Sequence, residues 1–262
     1  MKKKNNWKKI FSSKEMSYIK LSYETINSIS KNNISTFLKS YSLTKIIYPL
    51  LNKSIFKNMI GFFTKEFSNL LIKNKFKRFT NMLDFGSGNG AFIFYFINKL
   101  NLKDNYSLEL SKELLLLQKK FVKKSKFIHI NNNSNTLFFK KIKNNAVDIS
   151  ISTSVFQYFR SNKYAFEVLN NLIRVSKKII ILYDIKNLDV KKTYLISLRE
   201  RQKLTKKNFT KKYRNTPLRF YSKNFFMDKF KNNKKVKKIK FLKMPSNSLD
   251  GKYGYSVVFE LI

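Results

Sequence analysis

The chain has 262 residues, of which 55 are Lys or Arg and 15 are Asp or Glu, so its formal net charge is +40. Cys is absent and there is one His, which excludes disulfides, thiolate zinc sites, iron–sulfur clusters, a Cys nucleophile and multi-His metal sites. Hydrophobic residues make up 43% of the chain, enough for a folded core, and the length fits one large domain or one domain with an added cap.

The positive charge has two interpretations. A nucleic acid or an anionic membrane surface would attract such a chain. The lysines, however, are spread along nearly the whole sequence together with many Asn, Ile and Phe, whereas a dedicated basic arm forms a dense block. We therefore favour a composition bias and keep a polyanionic partner as the alternative.

The first residues, MKKKNNWKKIFSSKEM, are basic, but no apolar stretch follows them as it does in a signal peptide. No apolar run approaches the ~20 residues of a membrane-spanning helix. The sequence therefore predicts a cytoplasmic protein without a membrane span.

Residues 1–78 are predicted to form an N-terminal helical cap. Apolar residues recur there at intervals of three and four from Ile46 to Leu71, which is the spacing of one helix face. Pro49 interrupts the pattern and marks a kink or a helix start.

Residues 79–262 are predicted to form an α/β domain, because short apolar segments alternate with helical patterns. This alternation is typical of βαβ units and of a parallel sheet covered on both faces. The predicted strands are residues 82–85, 106–110, 127–130, 147–152 and 179–183, and the predicted helices are residues 91–100, 112–124 and 164–175.

The last third adds two features. Residues 186–230 form a basic insertion that is predicted to cap the sheet. Residues 236–244 and 255–262 then form two strands around the turn-rich segment SNSLDGKYG, so the domain ends in an antiparallel hairpin.

A glycine-rich segment, LDFGSGNG, joins the first strand to the next helix, from Leu83 to Gly90. Glycine lets the backbone turn sharply there and approach a ligand without a Cβ atom in the way. Glu109 follows nineteen positions after Gly90, at the end of the next strand, where a carboxylate can accept hydrogen bonds from both ribose hydroxyls of an adenosine cofactor.

With these motifs the chain resembles the class I S-adenosylmethionine (SAM)-dependent methyltransferases. The segment YSLELSKELL looks like the family's second motif, NNNSNTLFF falls at the adenine-contacting position, NAVDISISTSVFQYF looks like the fourth-strand motif, VSKKIIILYD looks like the fifth strand, and the terminal hairpin matches the family's antiparallel pair. The resemblance covers residues 79–262. It implies a Rossmann-like, doubly wound seven-stranded sheet, mostly parallel with an antiparallel C-terminal hairpin.

The resemblance also implies SAM as the cofactor, and we expect no metal site because Cys is absent and there is one His. The cofactor-binding residues that it implies are Asp84, Gly86, Ser87, Gly88, Gly90, Glu109, Leu110, Asn133 and Ser152. Two positions depart from the family pattern: Asn133 stands where an acid is usual, and Val175-Ser176-Lys177-Lys178 replaces the usual Pro-Gly-Gly.

Acids are scarce, so their placement at strand ends carries weight. Asp84, Glu109, Asp148 and Asp184 all fall at ends of the predicted strands. For Asp148 and Asp184, capping of the following helix is an equally good explanation.

Two other interpretations of the same fold remain open. Gly86, Gly88 and Ala91 also satisfy the G-x-G-x-x-G/A pattern of a nicotinamide-dependent oxidoreductase. Asp84 argues against this, because dinucleotide domains usually carry an apolar residue there. A non-catalytic SAM-binding protein is the third interpretation, which the intact glycine loop and Glu109 disfavour.

The sequence does not single out a general base. His129 lies within a predicted strand and is better explained as a packed imidazole than as a catalytic group. The low-ranked candidates on the acceptor side are Tyr158, Asp184, Tyr213 and Tyr221.

A small molecule is the favoured methyl acceptor, and Arg199, Arg214 and Arg219 of the insertion suggest an anionic one, because guanidinium groups bind carboxylate and phosphate bidentately. The alternative is a tRNA or rRNA methyltransferase. Ser152-Thr153-Ser154-Val155-Phe156 replaces the Asn/Asp-Pro-Pro-aromatic motif of enzymes that methylate base amino groups, and the absence of Cys excludes pyrimidine C5 methylation, whereas ribose methylation stays open.

Overall fold

A computed structural model of the protein describes residues 53–73, 78–130, 136–214, 217–245 and 250–262. Most of the predicted N-terminal cap, including Pro49, lies outside the described residues, as does Asn133.

Seven strands form one sheet in the order β3-β2-β1-β4-β5-β7-β6, and the strands from β3 to β5 are parallel. Strand β7 lies antiparallel between β5 and β6, so the predicted C-terminal hairpin is confirmed. The strands are β1 Met82–Phe85, β2 Asn105–Glu109, β3 Ser125–His129, β4 Val147–Thr153, β5 Ser176–Lys186, β6 Val236–Lys243 and β7 Gly254–Leu261.

Helices cover both faces of the sheet, which confirms the doubly wound α/β class. The α-helices of the described residues are α1 Lys53–Lys73, α2 Ala91–Leu100, α3 Lys112–Lys119, α4 Asn162–Val175, α5 Lys191–Arg201, α6 Lys206–Tyr213 and α7 Lys223–Phe230. Helices α1 and α2 pack on one face in a core with Phe63 and Ile151, and α4 and α7 pack on the other face in a core with Leu83 and Phe259. None of these helices combines the length and the apolar composition that a bilayer crossing requires.

Helix α1 packs directly on one face of the sheet. Phe56, Ile60 and Phe63 recur at intervals of four and three and are buried against the strands and α2, as the apolar spacing predicts. An ion pair adds to this packing: Lys240 Nζ of β6 lies 2.6 Å from Glu260 Oε1 of β7 and 3.6 Å from Glu66 Oε2 of α1.

Helix α3 ends at Lys119, five residues before the predicted end at 124. The backbone N–H groups of Phe121 and Val122 both donate to the carbonyl of Gln118, which closes the last turn. Lys124 then adopts a φ of 62°, a left-handed conformation that a helix cannot contain. The chain is thereby turned back into β3.

The insertion after β5 forms two different layers. Helix α7 buries Phe226 and Phe230 in the sheet core. Helix α5 buries only Tyr194, which packs with Phe220 and Tyr253 in a small separate cluster, and no residue of α6 is buried.

Candidate functional site

The glycine loop lies at the carboxyl end of β1, between Phe85 and the first residue of α2. Gly86, Gly88 and Gly90 have φ values of 73°, 57° and 80°, which side chains rarely allow. A Cβ atom on Gly86 would also collide with the Val155 side chain, and one on Gly90 would lie 2.8 Å from Gln118 Cγ. The loop therefore requires glycine for backbone conformation and for space.

The loop is attached to the neighbouring strand β2. The backbone N–H groups of Gly86 and Ser87 both donate to the carbonyl of Leu108, over 2.7 and 3.0 Å. This pair of bonds places the loop beside Glu109, the last residue of β2, at the edge where ligands of parallel sheets bind.

The Glu109 carboxylate is almost fully buried and accepts three backbone N–H groups. Oε2 accepts from Gly88 over 2.7 Å, and Oε1 accepts from Leu110 and Ser111 over 2.7 and 3.0 Å. Burial raises the pKa of Glu109 and these backbone hydrogen bonds lower it, with burial the larger effect. Since a carboxylate has about four acceptor positions, one remains for a ligand.

Asp84 is the second acid beside the loop and is 2% exposed. Its Oδ2 atom has no hydrogen-bond partner among the described residues. Burial, and then repulsion from Glu109, raise the pKa of Asp84 from 3.8 to about 8. A buried carboxyl group with an unpaired oxygen is costly, so Asp84 is a candidate ligand-binding residue.

The remaining cofactor-side residues differ in their surroundings. Ser152 is buried and donates through Oγ to the carbonyl of Phe85 over 3.0 Å, so it joins β4 to the end of β1. The carbonyl of Leu110 lies 2.8 Å from Nε2 of the half-buried His129, so the His129 imidazole already has a hydrogen-bond partner. Asn133 lies outside the described residues.

A second group of buried charges lies at the end of β5, which is at the same side of the sheet as the carboxyl ends of β1 and β4. Lys186 is 2% exposed, and its Nζ lies 2.7 Å from Asp184 Oδ1 and 2.9 Å from Asp250 Oδ2. Asp184 Oδ2 also accepts from Ser154 Oγ over 2.8 Å. Arg201 of α5 reaches Asp250 Oδ1 over 2.8 Å, so the cluster joins the insertion to the sheet.

The pKa values in this cluster move in different directions. Burial raises the pKa of Asp184, although Lys186 and Ser154 oppose it. For Asp250 the cations Lys186 and Arg201 outweigh burial and lower the pKa. The two carboxylates raise the pKa of Lys186 against its burial. Ser154, directly after β4, and Asp184, near the end of β5, have φ values of 57° and 63°, so the backbone is strained at both positions.

Sequence reasoning placed Asp184 on the acceptor side but missed Lys186 and Asp250. The only signal in the sequence was the order Asp184-Ile185-Lys186 at a strand end, which an exposed ion pair would also give.

The three candidate tyrosines have different environments. Burial raises the pKa of Tyr158 to about 12, while Lys186 opposes the shift. The Tyr213 hydroxyl accepts from Gln202 Nε2 over 2.8 Å. Tyr221 is 1% exposed and donates its O–H to the carbonyl of Phe156 over 2.9 Å, which is a packing role.

The candidate arginines also separate. Arg219 donates to the backbone carbonyls of Phe159 and Arg160, so its guanidinium group holds the segment after β4. Arg214 is exposed and Arg199 is half-buried.

Asp148 lies at the opposite end of the parallel strands, where β4 begins. It accepts from Thr80 N and Oγ1 over 2.8 and 3.0 Å and lies 3.3 Å from Lys178 Nζ. It therefore links the starts of β1, β4 and β5, and neither it nor Asp184 caps a helix.

Comparison with known proteins identifies the fold. The sequence matches no protein-family model and no curated protein. The structure is similar to magnesium protoporphyrin IX methyltransferase from Synechocystis PCC 6803, solved with bound SAH, at a TM-score of 0.53 and 12% identity over 85% of this chain and 94% of that chain. It is also similar to a SAM-dependent methyltransferase from Methanosarcina mazei, at a TM-score of 0.50 and 11% identity over 73% and 95% of the two chains. With the strand order 3-2-1-4-5-7-6, the chain has the Rossmann-like fold of the SAM-dependent methyltransferases, as its sequence motifs predicted.

Proposed function

We propose that this protein is a SAM-dependent methyltransferase that acts on a small anionic molecule. The observation that carries the proposal is the buried Asp84 carboxyl group with its unpaired Oδ2, beside Glu109 and the glycine loop at the carboxyl ends of β1 and β2. SAM carries positive charge on its sulfonium and ammonium groups, so a buried acid without a partner suits it better than it suits an anionic dinucleotide.

The residues around the loop fit the parts of this cofactor. The fourth acceptor position of Glu109 is available to one ribose hydroxyl, rather than the two that the sequence pattern suggested. Ser152 supports the loop through Phe85, and Gly86 lets the loop turn against Val155, where a side chain would not fit. We expect Leu110 and Asn133 to lie along the adenine, as the resemblance implies.

The cofactor would supply an activated methyl group, and the protein's task is to align the acceptor with it. Correct alignment of two reactants contributes ~7–11 kcal/mol to such a reaction. Tyr158 is half-buried and near enough to Lys186 and Asp184 for both charges to affect its pKa, and it would orient the acceptor as a hydrogen-bond donor. Asp184 already binds Lys186 and Ser154, so we assign it a structural role at the end of β5 rather than the role of a proton acceptor.

Two observations support a small anionic acceptor. The similar Synechocystis protein is a magnesium protoporphyrin IX methyltransferase, which acts on a porphyrin. In this chain Arg199 and Arg214 take part in none of the ion pairs or guanidinium hydrogen bonds recorded for the described residues, in contrast to Arg201 and Arg219. They remain the candidates for a carboxylate or phosphate of the acceptor.

Calorimetry with SAM tests the cofactor. We expect Glu109→Ala and Gly88→Val to weaken binding at least about tenfold, because one loses a ribose contact and the other strains the loop at φ 57°. Glu167→Ala, at a half-buried acid of α4, is the matched control and should bind like the wild type. Absence of wild-type binding at millimolar SAM would refute the proposal.

An RNA methyltransferase is the second candidate, favoured by the net charge of +40. Transfer of a labelled methyl group to a cell-metabolite extract and to total RNA separates the two. We expect label in small molecules, and label confined to RNA would overturn the choice of acceptor.

A further inference from the structure

Gln118 is a polar side chain beside the glycine loop to which the proposed function gives no role. It lies on α3 and is 0% exposed. Its Nε2 donates to the carbonyl of Gly88 over 2.7 Å and to Ser87 Oγ over 2.9 Å. Since a carbonyl oxygen only accepts, the NH₂ end of the side chain must face Gly88.

The other end of the Gln118 amide, Oε1, is buried without a hydrogen-bond partner among the described residues. Burying an amide in this way is costly, and a Leu of similar size would avoid the cost. The two bonds that Nε2 makes to the loop offset part of this cost, and a Leu could not make them.

Gly88 is held from two sides. Its N–H donates to Glu109 Oε2 over 2.7 Å, and its carbonyl accepts from Gln118. In a trans peptide the C=O and the following N–H point in opposite directions, so fixing the Gly88 carbonyl towards α3 also fixes the direction of the Asn89 N–H.

The loop needs such a constraint because glycine permits many conformations. Three of the five residues from Gly86 to Gly90 are glycine, and the peptide after Gly88 can rotate at little steric cost. A loop that is ordered only when the ligand binds loses affinity through the entropy of ordering.

We propose that Gln118 is a positioning residue, which holds the peptide groups of the glycine loop in one orientation so that the cofactor meets a pre-formed loop. Its effect on cofactor affinity rests on the proposed function, whereas the fixing of the loop is a property of the protein alone.

Hydrogen exchange of the cofactor-free protein tests the fixing of the loop. Gln118→Leu should speed exchange in a peptide that covers residues 86–90 and leave residues 147–153 of β4 unchanged. Leu117→Met is the matched control on the same helix, because it alters buried packing without removing a hydrogen bond, and its loop should exchange like the wild type. Equal loop exchange in Gln118→Leu and wild type would overturn the proposal.

Calorimetry with SAM then measures the consequence. We expect about tenfold weaker binding for Gln118→Leu, from the loss of two hydrogen bonds that order the loop. Gln118→Glu has the shape of Gln, but once its carboxyl group is ionised at high pH it repels the Gly88 carbonyl, so there it should bind more weakly than Gln118→Leu. At acidic pH its protonated carboxyl group can donate to the Gly88 carbonyl, and its affinity relative to the wild type at the same pH should recover.

This acid recovery is not expected of a residue that merely fills space, so its absence would contradict the positioning role. If the wild type itself bound no SAM, the proposed function would fail, and hydrogen exchange would still decide whether Gln118 fixes the loop.

Discussion

At the scale of single residues, Asp84 illustrates a conflict between stability and binding. Its carboxyl group is buried next to Glu109, one of its oxygens has no partner, and its pKa rises to about 8. Such a residue destabilises the cofactor-free protein, and a cationic ligand would remove part of this destabilisation. The scarcity of acids allowed Asp84 and Glu109 to be selected from the sequence, whereas Gln118 looked like any polar residue of an amphipathic helix.

Replacing Asp84 by Asn should stabilise the cofactor-free protein in a pH-dependent way. The folded-state pKa of about 8 lies above the ordinary value of 3.8, so wild-type stability falls as the pH rises from the lower to the higher value. Asn lacks this titration, so its advantage in Tm should be smallest near pH 4 and largest near pH 8. Thermal unfolding across this range, with the exposed Asp104→Asn as control, measures the effect.

The same variant should bind SAM at least about tenfold more weakly, since a cationic ligand favours the ionised form of Asp84, which Asn cannot adopt. A stability difference that did not grow with pH would show that Asp84 is paired in solution.

At the scale of elements, the alternation of apolar and helical segments predicted the strands to within a few residues. It could not predict where β5 ends. Lys186 extends this strand by three residues beyond the prediction, and Lys is almost never buried without a charged partner. Of its two carboxylate partners, Asp184 is only two positions away, but Asp250 lies 64 positions further along the chain, beyond any local pattern. Long-range pairing of this kind requires the folded sheet.

Replacing Lys186 by Met should cost about 3–5 kcal/mol of unfolding free energy, because two buried or half-buried carboxylates lose their cation. Arg201→Met removes an exposed partner of the same Asp250 and should cost at most about 1 kcal/mol. Urea unfolding of both variants gives the comparison.

The deficit of Lys186→Met should shrink as the pH falls, because protonation of Asp184 and Asp250 removes the uncompensated charge. Equal losses for the two variants would mean that the cluster is open to solvent.

At the scale of the whole molecule, the charge is distributed unequally between core and surface. Six carboxylates of the described residues are buried, namely Glu66, Asp84, Glu109, Asp148, Asp184 and Glu260, whereas Lys186 is the one buried cation in these ranges. Six of the thirteen acids in these ranges thus lie in the interior, whereas lysines dominate the surface. This surface repels itself, which destabilises the compact state.

Added salt should therefore raise the Tm of this protein. Screening is already strong at physiological ionic strength, where the Debye length is about 8 Å, so most of the increase should occur below ~0.2 M salt. NaCl and KCl should act alike, because the effect depends on ionic strength and not on a bound ion. Differential scanning calorimetry in parallel NaCl and KCl series provides the measurement. A Tm that stays flat or falls over this range would mean that the surface cations are compensated, and would remove self-repulsion as a cost of the +40 charge.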